Sequence, residues 1–168
     1  LFESLADHFD AIKNTLGILC LYDLDLSLSI IQKMNTKHRK DCSADLVIRS
    51  YIDHKGVAGL TAQHLDILDS ISDTPIKEDL ILYILENTIY NGIEPTSFHH
   101  LSKIVKSVPD FKNDYRRCNA FCLLARYQNR FHDDKILPLN EIIDNITKLW
   151  SSIDNSWYLY FSLLISVK

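Results

Sequence analysis

The chain has 168 residues, 46% of them hydrophobic, so it holds enough apolar material for one continuous core and is expected to form a single domain over residues 1–168. Its 18 basic and 22 acidic residues leave a formal charge of −4, which excludes a uniformly basic nucleic-acid coat and leaves room only for local positive patches. No apolar run reaches the roughly 18 residues of a membrane-spanning helix, and the aromatic tail from Trp157 to Val167 is too short, so no membrane span is expected.

Leu1 in place of an initiator methionine is consistent with a mature or trimmed form, in which any targeting segment would already be gone, so the compartment is not directly readable. Leu5, Phe9, Ile12, Leu16 and Leu19 fall on one helical stripe and predict a first helix from about Phe2 to Leu21. Leu24, Leu28 and Ile31 predict a second that ends near Met34 and pairs antiparallel with the first. Lys37-His38-Arg39-Lys40 reads as a polar basic turn, followed by a helix from Ala44 to His54 that starts at a Ser43 cap. Beyond it, Thr61 is placed to cap a helix carrying Leu65, Leu68 and Ile71, and Thr74-Pro75 opens a partner with Leu80, Tyr83, Ile84 and Leu85 inside. Ser97 takes the capping place ahead of Leu101, Ile104, Val105 and Val108, and the next helix turns Tyr115, Cys118, Phe121, Cys122 and Ala125 inward. A last segment starts near Asn140 and ends in Trp157, Tyr158, Tyr160 and Phe161.

Gly56, Gly59 and Gly92, with Pro75, Pro95, Pro109 and Pro138, stand at the boundaries of these elements. The β-branched residues follow helical spacing, and Asn91-Gly92 reads as a helix C-terminal cap, so the class is all-α. Cys20, Cys42, Cys118 and Cys122 show no two-residue spacing, and Cys118 and Cys122 lie one helical turn apart. Buried reduced thiols are expected, which points to a reducing compartment.

The second part of the chain repeats. Gly56-Val57 with Leu60 to Leu68 matches Gly92-Ile93 with Thr96 to Ile104 at an offset of 36, placing Leu65 on Leu101 and Leu68 on Ile104. Ile76-Lys77-Glu78-Asp79-Leu80 matches Phe111-Lys112-Asn113-Asp114-Tyr115 at 35, and a third copy follows at 42 with Ile143 on Leu101 and Ile146 on Ile104. These spacings predict stacked antiparallel helical hairpins, a short α-solenoid, with N-terminal helices in 1–55 and repeat units at 56–91, 92–130 and 131–168. Such folds present extended binding surfaces more often than catalytic clefts.

Leu60-Thr61-Ala62-Gln63-His64-Leu65-Asp66-Ile67-Leu68-Asp69-Ser70-Ile71 and the segment from Pro95 to Val108 resemble the first helices of octotricopeptide and heptatricopeptide repeats, over about residues 56–130. Those repeats occur in organellar RNA-metabolism proteins, including RAP-domain and FAST-kinase-like families. Asn91-Gly92-Ile93-Glu94-Pro95 is also similar to pentatricopeptide repeats, but the gap from Pro95 to Leu101 is shorter than that family's, so its base-reading code is not carried over. A C-terminal RAP-like segment is not visible. The resemblance implies a non-catalytic helical-repeat module of an organellar RNA-associated assembly, ribosomal or RNA-processing, in a mitochondrial or other organellar setting. Its partners are then RNA, protein subunits of a larger complex, or both.

Two local patches suit RNA: Lys37, Arg39 and Lys40 beside His38, and Arg116, Arg117, Arg126 and Arg130. Arg126 and Arg130 are one turn apart, as are Tyr127 and Phe131, which interleaves cations with aromatics for phosphates and bases. Pairing with Asp114, Asp133 or Asp134 on a solvated face is the competing reading. Gln63 and His99 are placed to supply hydrogen bonds on a concave face, whereas His64 and His100 share one repeat position and read as packing or capping residues. The acidic balance favours an alternative, an intracellular protein-interaction scaffold that does not touch RNA.

An enzyme is not expected. The chain lacks a phosphate-cradling glycine loop, a His-Glu-x-x-His pair and a Gly-x-Ser-x-Gly turn, so no cofactor and no small-molecule substrate are assigned. His132-Asp133, with His99, His100 and Asp144, outlines a remote alternative, a His-Asp metal phosphohydrolase. The pair falls in a loop before Pro138 and lacks the glycine-lysine continuation of that family, so it reads as a helix end instead.

Overall fold

Capping chemistry decides where the helices of this chain begin. A computed structural model describes residues 9–91, 101–131 and 138–150, excepting the side chains of 9–11, 101, 129, 131 and 150, and every regular element among them is a helix. They are α1 (Phe9–Leu19), α2 (Leu24–Gln32), α3 (Lys37–Lys55), a 3-10 turn (Val57–Gly59), α4 (Ala62–Leu65), α5 (Ile67–Ser70), α6 (Thr74–Tyr90), α7 (Leu101–Ser107), a second 3-10 turn (Val108–Asp110), α8 (Asp114–Phe131) and α9 (Leu139–Trp150). The all-α class read from the sequence therefore holds. The fold divides into two compact units, Leu1–Asn87 and Thr88–Lys168, described in turn.

In the first unit, the Asp23 carboxylate accepts the Leu26 N–H at 2.8 Å and starts α2, satisfying one of the orphan amides of a helix end. The long helix α3 packs against both α1 and α2. Leu16 and Cys20 of α1, Leu24, Leu28 and Ile31 of α2, and Ala44, Val47, Ile48 and Ile52 of α3 are all buried. Each large aliphatic side chain here contributes on the order of 1.5–3 kcal/mol by leaving water. Of the expected first stripe, Leu16 is buried while Ile12 and Leu19 are half-buried, and Leu5 and Phe9 lie outside the described side chains. Gly17 lets the helices close up, since a Cβ there would stand 3.3 Å from the Ser50 hydroxyl of α3.

The basic tetrapeptide is not a turn. Lys37, His38, Arg39 and Lys40 form the first turn of α3, with Thr36 at the cap position, and Ser43, expected to cap, is buried inside the helix. Lysine and arginine are good helix formers, so their charge had suggested a loop where their backbone preference continues the helix. The end of α3 is as expected: Gly56 takes φ 80°, the left-handed region in which a side chain would be strained.

Asp41 ties α3 to the start of α6. Its Oδ2 accepts the Ser72 hydroxyl at 2.8 Å, the Ser72 N–H at 3.2 Å and the Asp73 N–H at 2.9 Å, although the residue is only 1% exposed. Asp73, so held, caps α6 by accepting the Ile76 N–H at 3.1 Å. In α6, Leu80, Ile81, Leu82, Ile84 and Leu85 are buried all round the helix. Tyr83, expected inside, is half-buried, with its hydroxyl donating to the Asp53 carboxylate.

In the second unit α8 packs against α9 and the second 3-10 turn. Its middle is buried on every side: Cys118, Ala120, Phe121, Cys122, Leu123, Leu124 and Tyr127. Asn113 caps it, accepting the Arg116 N–H at 3.0 Å. The caps Asp73 and Asn113 are 40 positions apart (113 − 73), five beyond the offset of 35 read from the sequence. Asn113 is a cap, whereas its supposed match Glu78 is 3% exposed inside α6. The 3-10 turn at Val108–Asp110, followed by Phe111 and Lys112, inserts chain before α8, and helical periodicity carries no signal for such an insertion. In the third copy Ile146 is buried, as is its match Ile104. Ile143 is 51% exposed, and the inward stripe of α9 is Ile142, Ile146 and Leu149.

We predict that Asp41→Ala lowers stability by about 3 kcal/mol and Asp41→Asn by about 1–2 kcal/mol, because the amide oxygen keeps one acceptor for the 72–73 loop. Urea denaturation measures both. A loss below about 0.5 kcal/mol for the alanine variant would mean that this tie is not structural.

Candidate nucleic-acid interface

The predicted basic residues separate into two groups. Lys37, Arg39 and Lys40 lie together in the first turn of α3, with no acidic residue among them. Lys37 is exposed, and Arg39 and Lys40 are half-buried. Positive side chains at a helix N-terminus oppose the macrodipole at a cost of about 0.3–1 kcal/mol each, so this turn concentrates positive potential at the expense of helix stability. Gln63 is exposed in α4, while His99 lies outside the described residues.

Arg116, Arg117, Arg126 and Arg130 all lie on α8. At about 100° per residue, Arg116, Arg126 and Arg130 fall on one broad face. Arg117 points elsewhere and is bound locally, to the Asp114 carboxylate and, at 3.2 Å, to the Phe111 carbonyl. The competing reading of a paired, solvated face thus holds for Arg117 through Asp114, while Asp133 and Asp134 lie outside the described residues.

The aromatic half of the expected interleaving is different. Tyr127 is only 1% exposed and belongs to the core, so it cannot stack on a base; the side chain of Phe131 is not described. The exposed aromatic beside the arginines is Tyr90, 63% exposed in the last turn of α6, whose hydroxyl accepts Arg126 Nη1 at 3.2 Å. Sequence reasoning missed Tyr90 because its partner is 36 positions away. The available signal was that Tyr90 directly follows the buried pair Thr88 and Ile89 and so falls off the inward face.

His64 serves structure. Its N–H is received by the Thr61 hydroxyl at 3.3 Å, and its Nδ1 accepts the Thr61 N–H at 3.1 Å, a reciprocal capping box that starts α4. With Nδ1 accepting, Nε2 carries the proton and donates to Asp25 Oδ1 at 3.2 Å. The capping reading of this position is therefore correct for His64, and His100 lies outside the described residues.

A polar cluster joins α3 and α6. Arg49 Nε donates to Asp45 at 2.7 Å, the guanidinium lies 4.5 Å from the centre of the Tyr83 ring, and Tyr83 bonds Asp53. Burial, then the Asp53 carboxylate, push the Tyr83 hydroxyl above its ordinary value. Burial also raises Glu86 above its ordinary 4.5, against the opposing pull of Arg49. Arg49, Asp45, Tyr83 and Asp53 thus hold one another across the two helices.

The cysteines are free, with Cys20, Cys118 and Cys122 buried as expected. Cys42 departs from that expectation: it is partly exposed, 3.6 Å from His38 Nε2. Burial raises its thiol above the ordinary value, against Lys13 and with help from Asp45, Asp41 and Asp73, so it is not an activated nucleophile. The Cys122 thiol is pushed up first by its hydrogen bond with Cys118 and then by burial.

Among the described residues no three His, Cys, Asp or Glu side chains converge to hold a metal, and no helix is long and apolar enough to cross a membrane. Of the residues outlined for a metal phosphohydrolase, only Asp144 is described, exposed on α9. No protein-family model, curated protein or solved structure gives a significant match to this chain.

Three outcomes are expected from these geometries. Long-range 1H–15N NMR of His64 should show the Nε2–H tautomer; an Nδ1–H ring would contradict the capping box. Because the Glu86 proton is held more tightly in the folded chain than in the unfolded one, its ionised form costs stability above the folded value, and the cost fades as pH falls toward 4.5. Glu86→Gln should accordingly be more stable than the parent at neutral pH in thermal unfolding, with the gap closing in acid. In native protein, a thiol reagent should label Cys42 first, with a pH midpoint above that of a free thiol, while Cys20, Cys118 and Cys122 react only on unfolding.

Proposed function

We propose that this chain is a non-catalytic module of stacked helical hairpins that contacts single-stranded RNA within a larger assembly. The observation that carries the reading is the contact of the Arg126 guanidinium with the hydroxyl of exposed Tyr90, 3.2 Å apart. It sets a cation for phosphate beside an aromatic face for a base, the pairing that sequence-tolerant single-strand binders use. Arg130 and Arg116 extend the positive face along α8, and the first turn of α3 offers a second positive surface on the other unit. The −4 net charge is compatible with this, because phosphate affinity depends on the local field at the contact. The resemblance of residues 60–71 and 95–108 to organellar RNA-associated repeats points the same way.

The competing reading, a protein scaffold without RNA, draws on the same acidic balance. Binding to a labelled random single-stranded RNA pool, titrated with salt, separates the two. Arg126→Glu with Arg130→Glu should reduce the slope of log affinity against log salt by about 1.4, two contacts at about 0.7 each. Tyr90→Ala should cost about 1–3 kcal/mol of binding while leaving that slope unchanged. Absence of binding at low salt would leave the scaffold reading.

A further inference from the structure

Three of the large apolar residues exposed among the described positions fall within one stretch of nine: Ile18 at 62%, Tyr22 at 86% and Leu26 at 45%. They sit at the corner where α1 ends and α2 begins, and they are not the fringe of a loosely packed end. Leu16, Cys20, Leu24 and Leu28, which alternate with them along the chain, are buried, and the Tyr22 and Asp23 amides both donate to the Leu19 carbonyl, at 2.9 Å each, which fixes the turn. An exposed tyrosine between two aliphatic residues on a rigid support has the chemistry of an interface anchor.

The charge around the corner selects the partner. From Asn14 to Gln32 the chain holds no lysine, arginine or histidine, and its only charges are Asp23 and Asp25. Both carboxylates are exposed although each has a local bond, Asp23 to the Leu26 amide and Asp25 to His64 Nε2. The last turn of α1 carries no basic residue, so the negative end of its dipole is uncompensated at the same place. An apolar centre with a negative rim repels RNA and anionic membrane surfaces. It also offers no strand edge to extend, which leaves helix docking as the mode.

We infer that the α1–α2 corner docks an amphipathic helix of another protein, its apolar face against Ile18, Tyr22 and Leu26 and its flanking lysines or arginines against Asp23 and Asp25. This goes beyond RNA contact: it places a protein-binding surface on the first unit, away in sequence from the α8 arginines. A weak, salt-sensitive complex follows from one central tyrosine and two rim charges.

The test uses the full chain and two fluorescein-labelled probe peptides. Both carry leucines at i, i+3, i+4 and i+7, one flanked by lysines and the other, its twin, by glutamates. Fluorescence anisotropy should show saturable binding of the lysine peptide and binding weaker by about tenfold or more for the glutamate twin. Ile18→Ser with Tyr22→Ser should weaken the lysine peptide by about tenfold or more. Asp23→Asn with Asp25→Asn keeps the acceptors for the Leu26 amide and for His64 while removing both charges, so this variant should retain the fold, and it should bind several-fold more weakly with little remaining salt dependence. Equal binding of the twins, no binding of either, or indifference to both double variants would overturn the inference. So would concentration-dependent self-association of the free chain in sedimentation that Tyr22→Ser abolishes, since a second copy would then be the occupant.

Discussion

The first unit depends on a buried carboxylate. Asp41 lies on α3, the helix that packs against α1 and α2, and its Oδ2 gathers two backbone amides and a hydroxyl from Ser72 and Asp73. Burying a carboxylate is costly unless it is well bonded; here three donors in one short segment serve Oδ2, while Oδ1 is buried without a hydrogen-bond partner. The consequence reaches past the contact, because Asp73 in turn caps α6. A single side chain thereby connects the packing of α3 to the starting point of the helix that carries Tyr83 and Tyr90.

The rest of α3 extends this role. Tyr51 donates to the Gly59 carbonyl at 3.3 Å and lies 6.3 Å, ring to ring, from His64, which caps α4 and reaches Asp25 of α2. Arg49 and Asp53, one turn apart, meet Tyr83 of α6, and Asp45 one turn earlier holds Arg49. The polar residues of the first unit thus act mainly as ties between elements that their apolar stripes have already brought together.

The candidate binding surfaces follow from what that packing leaves over. Burial in the middle of α8 consumes Tyr127 and both cysteines, whereas Arg116 and Arg126 are half-buried and Arg130 is exposed, with Arg126 beside Tyr90. At the α1–α2 corner the apolar pattern runs past what the core covers, and Ile18, Tyr22 and Leu26 remain outside. Clustered positive and negative side chains are then carried by different elements of a chain whose formal net charge is −4.

The sequence by itself determined the all-α class, because a 3.6-residue apolar period and scattered β-branched residues leave no alternative local structure. It also determined the glycine stop after α3, the Thr61 cap, the capping role of His64 and the inward thiols of α8, each a property of neighbouring residues. Only the tertiary structure decided the rest. The offset between the caps of α6 and α8 depended on a 3-10 turn that periodicity does not encode. That Tyr127 is core while Tyr90 is surface depended on which faces the neighbouring helices cover. A helical period says which residues share a face; it does not say how many faces will be buried, and that count is set by packing between segments far apart in the chain.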